Sequence, residues 1–177
     1  KVYRIISVAI CGLTKYAHLT AIHEGAAPFS AQVRDGLIEF IRRARIEAND
    51  PNLHPEAIRS DKGPEHEGAF EVWRAAQEAA NPGFYSISKT PGTRSSFNSV
   101  AEATIKAIRR LFHGRYRAVK MDWDNNNVPQ NARRFDWGDH LSDVNDMWNT
   151  GYPHTIKTQP IKAIQPGVAP SYREVAR

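Results

Sequence analysis

The chain is 177 residues long, 41% hydrophobic and 24% charged, enough for one domain with a substantial core. Its net charge of +5 and pI near 9.5 fit a polyanionic partner, and such values also occur among proteins of ribosomes and similar particles. A single cysteine, Cys11, excludes an intramolecular disulfide framework and a cysteine-based zinc site, and no apolar run reaches the length of a membrane span, so membrane insertion is not expected.

The chain begins at Lys1 with neither an initiator methionine nor a signal-like segment, as expected of a processed product, a fragment or the ordered part of something longer. Val2 to Ile10 is apolar on both faces and β-branched, the signature of an interior strand. Cys11 to Thr14 makes a tight connection, and Lys15 to Ile22 alternates as its hairpin partner. A helix is expected from Ser30 to Ala48, with Val33, Leu37, Ile38, Phe40, Ile41 and Ala44 forming its apolar stripe. Arg34, Arg42, Arg43 and Arg45 occupy the rest of it, and the simpler reading of them is a solvated face.

Asn49 to Pro55 is a turn-rich loop. It leads into Ala57 and Ile58, a short apolar approach that delivers Ser60 and Asp61 to a turn at Gly63 and Pro64. That is how a buried strand presents a carboxylate at its C-terminal edge, where it can bind a metal. Gly68 to Ala80 reads as a short helix with Phe70, Val72, Trp73 and Ala76 inward, stopped by Asn81-Pro82-Gly83. Phe84 to Ser88 has the makings of another strand. Between Ser88 and Ser99, Lys89 and Arg94 stand among small polar residues that suit phosphate contacts, and an ordinary flexible connector fits the same composition.

Ser99 to Gly114 reads as a helix capped by Asn98 or Ser99. Val100, Ile105, Ile108, Leu111 and Phe112 make its buried side, and Glu102 lies in its first turn. Glu102, Lys106, Arg109 and His113 share the opposite side. Lys120 to Arg134 is a polar loop in which Asp122, Asp124 and Asn126 hint at a calcium site, although no glutamate follows at the required spacing. Trp137, Leu141, Val144 and Trp148 have helical spacing and are most simply core. His154 is expected to hydrogen-bond locally. From Gln165 the chain should be extended, to be ordered by a partner surface. The domain is therefore placed at 1–164, with an extended tail at 165–177.

These motifs resemble the catalytic core of the retroviral-type integrases and, more closely, of the integrases carried by large DNA transposons. In that family a strand ends in S/T-D-x-G-x-E-F, here Ser60-Asp61-Lys62-Gly63-Pro64-Glu65-His66. A later helix carries V-E-R followed by basic residues, here Val100-Ala101-Glu102-Ala103 with Lys106 and Arg109. Tyr3 through Ala17 matches the second and third strands, including the phrase Thr14-Lys15-Tyr16-Ala17. Trp137, Leu141, Val144, Trp148 and Asn149, then His154, Ile156, Lys157, Pro160 and Ala163, match the end of transposon integrase cores. His66 and Ala103 depart from the pattern. Forty residues lie between Asp61 and Glu102, more than is usual, which implies an insertion around Asn81 to Arg94.

The resemblance implies a ribonuclease-H-like integrase core: a mixed sheet with helices on both faces, whose first, central strand is missing from this chain. Asp61 and Glu102 would be catalytic metal ligands, and Lys62, Lys89, Arg94, Lys106 and Arg109 nucleic-acid contacts. Complete members use three carboxylates to hold two magnesium ions about 4 Å apart for in-line attack on phosphodiesters. The first of these lies on the strand that is missing, so magnesium is expected only if a third carboxylate is supplied. Two functions follow. One is a catalytically incomplete, transposon-derived domain serving as a structural or nucleic-acid-binding subunit of a larger assembly, such as an organellar ribonucleoprotein. The other is a fragment of an active, metal-dependent transposon integrase that cleaves and transfers DNA strands. DNA and RNA remain equal candidates, as do the nucleus and an organelle such as the mitochondrion.

Overall fold

The computed structural model describes residues 3–23, 28–61, 63–89, 99–151 and 158–168. The first unit is a hairpin. Strand β1 (Tyr3–Ile10) pairs antiparallel with β2 (Ala17–His23) in the register Ile10↔Ala17, Val8↔Leu19, Ile6↔Ala21. Lys15 closes the turn at a φ of 60°, and its backbone N–H donates to the Cys11 carbonyl at 3.0 Å. That left-handed residue moves the start of the second strand from the expected Lys15 to Ala17.

Helix α1 (Phe29–Ala48) packs on both hairpin strands. Its approach to β2 is close because Gly36 faces Thr20: a Cβ there would stand 2.5 Å from Thr20 Oγ1. Ala44 and Ala48 are buried on the same helix, whereas Ile38, expected inward, is 42% exposed. The stripe rotates toward small residues because they let helix and strand backbones come together.

Strand β3 (Ala57–Asp61) follows, then a 3-10 turn at Pro64–His66 and helix α2 (Ala69–Ala80). Phe70 is the buried anchor of α2. Val72 and Ala76, also expected inward, are exposed, so α2 meets the protein along a narrower line than its apolar content suggests. Strand β4 (Tyr85–Lys89) lies parallel to β3, with Asp61 opposite Lys89. Antiparallel and parallel pairing thus both occur, as in a mixed sheet. The described strands nevertheless form two separate two-stranded sheets, β1-β2 and β3-β4, because no described strand bridges them.

Helix α3 runs from Ser99 to Asn125, 27 residues, well past the expected end at Gly114. An interior glycine costs a helix only about 1 kcal/mol, and the following residues carry no proline before Pro129. The stretch from Lys120 to Asn125 is therefore helical, not loop. The carboxylate of Asp124 is held by Arg133 at 2.7 Å. Within α3, Val100 is 37% exposed, and the buried place beside it goes to Thr104, whose hydroxyl donates to the Val100 carbonyl at 2.8 Å.

A 3-10 turn at Trp137–His140 leads into α4 (Leu141–Thr150), and a short α5 spans Pro160–Ala163. The core is where β2, α3 and α4 meet. Leu19, Ile108 and Val144 are buried together, with Ile6, Val8, Leu111, Phe112, Leu141 and Trp148 packed around them. Arg115 of α3 reaches Asp143 of α4 at 2.9 Å. No helix among the described residues is long and apolar enough to cross a membrane.

Polar side chains on α4 complete this junction. Asn149 accepts from the Ala17 N–H at 2.9 Å and donates to the Ala17 carbonyl at 2.8 Å, and Asn145 accepts from the Leu19 N–H at 3.2 Å. Trp148 Nε1 donates to the Lys15 carbonyl at 2.8 Å. Gln32 of α1 treats His23 in the same way, accepting from its N–H at 2.8 Å and donating to its carbonyl at 2.9 Å. Asn145 and Asn149 are nearly fully buried, at 6% and 3% exposure. Asn149→Ala would orphan two buried backbone groups, so it should lower unfolding free energy by about 2–4 kcal/mol, measurable by urea denaturation.

The arginines of α1 are engaged locally. Glu39 receives Arg42 at 2.6 Å and Arg43 at 2.7 Å, Arg34 pairs with Asp35 at 2.7 Å, and Arg45 Nε donates to the Leu53 carbonyl at 2.8 Å. The hydrogen bonds from Arg42 and Arg43 lower the Glu39 pKa from 4.5 to about 2. Because the folded value lies below the unfolded one, this contribution is full above about pH 4.5 and drains away as pH falls toward 2. The cluster is at the surface, so it is worth under about 1 kcal/mol. Glu39→Gln should lower the thermal midpoint slightly at pH 7 and leave it unchanged at the acid end.

Candidate functional site

The Asp61 segment is built by a strand that stops. The strand β3 ends at Asp61, and Gly63, extended at φ −72° and ψ 153°, turns the chain into the Pro64–His66 helical turn. Proline suits that first position because it has no N–H to satisfy there. His66 donates its backbone N–H to the Gly63 carbonyl at 2.9 Å. With no side chain at Gly63, the Glu65 carboxylate lies against its backbone, in space that a Cβ would share.

His66 stands where the resemblance leads one to expect an aromatic ring. Its imidazole packs edge-on against Phe70, ring centroids 5.1 Å apart, so it keeps the ring contact that ties the motif to α2. Asp61 and Lys89 end their strands side by side. Their backbones are described and their side chains are not. Lys62 and Arg94 lie outside the described residues, as do Asn98, His154, Ile156, Lys157 and the tail from 169 onward.

Glu102 occupies the first turn of α3, where the helix dipole favours a negative charge. It is exposed. Carboxylate oxygen is the right donor for a hard divalent cation. No group of three His, Cys, Asp or Glu residues able to hold a metal ion occurs among the described residues, of which the Asp61 side chain is not one.

Lys106, Arg109 and His113 are exposed with Glu102 on one side of α3. Because the helix continues to Asn125, the stripe extends further than the sequence reading took it: Arg117 and Lys120 fall at the next spacings of four and three and are exposed too. At 1.5 Å per residue, the row from Glu102 to Lys120 is about 27 Å long. Arg110 is exposed beside it. Arg117 and Lys120 were missed because Gly114 looked like a stop. The signal that could have found them is the basic spacing itself, which carries on across the glycine.

The rest of the stripe's surroundings is aromatic. Phe112, Tyr116, Phe135 and Trp137 line an open cleft of about 460 Å³ together with Ile6, and Arg109 and His113 also border it. Phe112 meets Trp137 edge-on at 6.5 Å, and Tyr116 meets Phe135 edge-on at 5.3 Å.

No family model matches this sequence, and no curated protein is significantly similar to it. Among solved structures, the HTLV-2 integrase catalytic core domain, determined in complex with magnesium in a trimeric form, aligns over 89% of this chain and 82% of that chain, with a TM-score of 0.52 and 12% sequence identity. At that identity the likeness is one of fold, and the chain has an integrase-core-like fold.

Proposed function

We propose that this is a transposon-type integrase domain of ribonuclease-H-like architecture, spanning 1–164 with a tail at 165–177, that binds nucleic acid along α3 as a subunit of a larger assembly. One observation carries the reading. The α1 arginines are all engaged by neighbouring carboxylates or a carbonyl, whereas Lys106, Arg109, Arg110, Arg117 and Lys120 have no ion-pair or hydrogen-bond partner among the described residues. Exposed cations in a row that make no ion pair are what a phosphate backbone binds. Lys62, Lys89 and Arg94 would extend this surface beside the end of β3.

Asp61 and Glu102 are, in this reading, two members of an incomplete metal site. Magnesium joins them only where a third carboxylate is supplied by another segment or chain. The hairpin favours a strand as the carrier. Amide side chains cover the β2 backbone at Ala17, Leu19 and His23, but among the described residues β1 has no such cover on its other side. An uncovered edge invites strand addition.

The second reading, an active metal-dependent integrase of which this is one piece, is favoured by the Asp61 motif. Asp61, Gly63, Glu65 and Glu102 are all retained, and a decayed site has no physical need to keep them all. Magnesium- or manganese-dependent cleavage and joining of labelled duplex ends separates the two readings. Activity in the native full-length protein that vanishes in Asp61→Asn supports the active integrase, and inactivity of both supports the binding subunit.

The binding surface has its own test, a salt series of oligonucleotide titrations followed by fluorescence anisotropy. Lys106→Ala and Arg109→Ala should each weaken binding and reduce the slope of log K against log salt by about 1. Arg42→Ala should leave the slope unchanged. A slope that responds to Arg42→Ala and not to the α3 variants overturns the assignment.

A further inference from the structure

We infer that the aromatic cleft beside the α3 stripe is a stacking site for an unpaired nucleobase, whose phosphates lie on Arg109 and its neighbours. This deepens the nucleic-acid reading above and rests on it. The cleft presents two chemistries at once. Four aromatic side chains, Phe112, Tyr116, Phe135 and Trp137, line it with Ile6 of β1, while Arg109 and His113 belong to both the cleft and the basic row. Its volume of about 460 Å³ falls within the range of ligand pockets, about 300–1,000 Å³.

The rings are braced before any ligand arrives. Tyr116 contacts Phe135 at 5.3 Å and Trp123 at 6.4 Å, both edge-on, and Phe135 stacks on the His140 ring at 4.7 Å. His140 is in turn near Asp143 and Arg115, and Arg115 is bonded to Asp143. The aromatic wall is therefore anchored to the α3–α4 junction. Tyr116 remains 41% exposed.

Charge complementarity selects the occupant. A purely apolar ligand gains nothing from the cations at the border, and an acidic side chain gains nothing from four rings. A nucleotide uses both, with its base on the aromatic faces and its phosphate on the arginine. In duplex nucleic acid the base faces are already stacked on each other, so the ligand must be single-stranded or locally unpaired. Stacking of this kind tolerates sequence, because every base has a π-face.

The test uses the full chain, with single-stranded and duplex oligonucleotides of equal length titrated over the same salt series. Tyr116→Leu keeps apolar volume and removes the ring, and should weaken single-strand binding about tenfold while leaving duplex binding and the salt slope unchanged. Tyr116→Phe should bind like the native protein. Single-strand affinity unaltered by Tyr116→Leu, or an equal loss for both oligonucleotides, overturns the inference. Photo-crosslinking of a bromouridine-containing single strand to the native chain guards against a variant that fails to fold. Adducts at Tyr116, Phe135 or Trp137 support the cleft, and adducts confined to other segments overturn it. If Lys106→Ala weakens binding and Tyr116→Leu does not, the cleft assignment fails and the basic stripe stands. If the native chain binds neither oligonucleotide, both fall.

Discussion

Side chains satisfy backbone groups of β2 at Ala17, Leu19 and His23 that its hairpin partner does not reach, and much of the fold depends on that. Asn149, Asn145 and Trp148, together on one helix, take up the polar groups of Lys15, Ala17 and Leu19, and Gln32 of α1 takes those of His23. A two-stranded hairpin is marginal by itself. Here it is clamped between α1 and α4, and the hydrophobic meeting of Leu19 with Ile108 and Val144 is fixed in register by hydrogen bonds that a slipped strand could not make. Asn149 and Gln32 each use both ends of the amide, accepting from an N–H and donating to the carbonyl of the same residue.

From that junction the proposed binding surface follows. Helix α3 is held by its Ile108 face and by Arg115, which bonds to α4. Its other side is left to solvent, and that side carries cations without carboxylate partners. Helix α1 has as many arginines and opposite electrostatics, because Glu39 and Asp35 sit where those arginines can reach them. Net charge alone could not have distinguished these two helices; pairing does. The aromatic cleft then lies alongside the cationic row because Arg109 and Phe112, like His113 and Tyr116, are neighbours at helical spacing.

Much of this was legible in the sequence. Alternation and β-branching marked β1 and β2, and the apolar approach to Asp61 marked β3, because each is a local pattern. The Trp137, Leu141, Val144 and Trp148 spacing marked α4 and its lead-in. What escaped depends on distant partners. Asn145 and Asn149 look like ordinary surface amides until β2 is beside them. Val72 and Ile38 look like core until the narrow helix contacts are known, and the true length of α3 was hidden by a glycine that its flanking helix formers override. At the candidate site, the positions of Asp61 at a strand end and Glu102 in a helix first turn could be read from turn chemistry and periodicity. The cleft could not, since it joins β1, α3 and the segment around Phe135.

The central claim is that α3, and not α1, is the face that meets nucleic acid. Chemical footprinting of lysine and arginine side chains on the full-length protein, with and without an oligonucleotide, tests it directly. The account predicts that Lys106, Arg109, Arg117 and Lys120 lose reactivity on binding while Arg42 and Arg43 keep theirs. Protection of the α1 arginines with no change along α3 would contradict it.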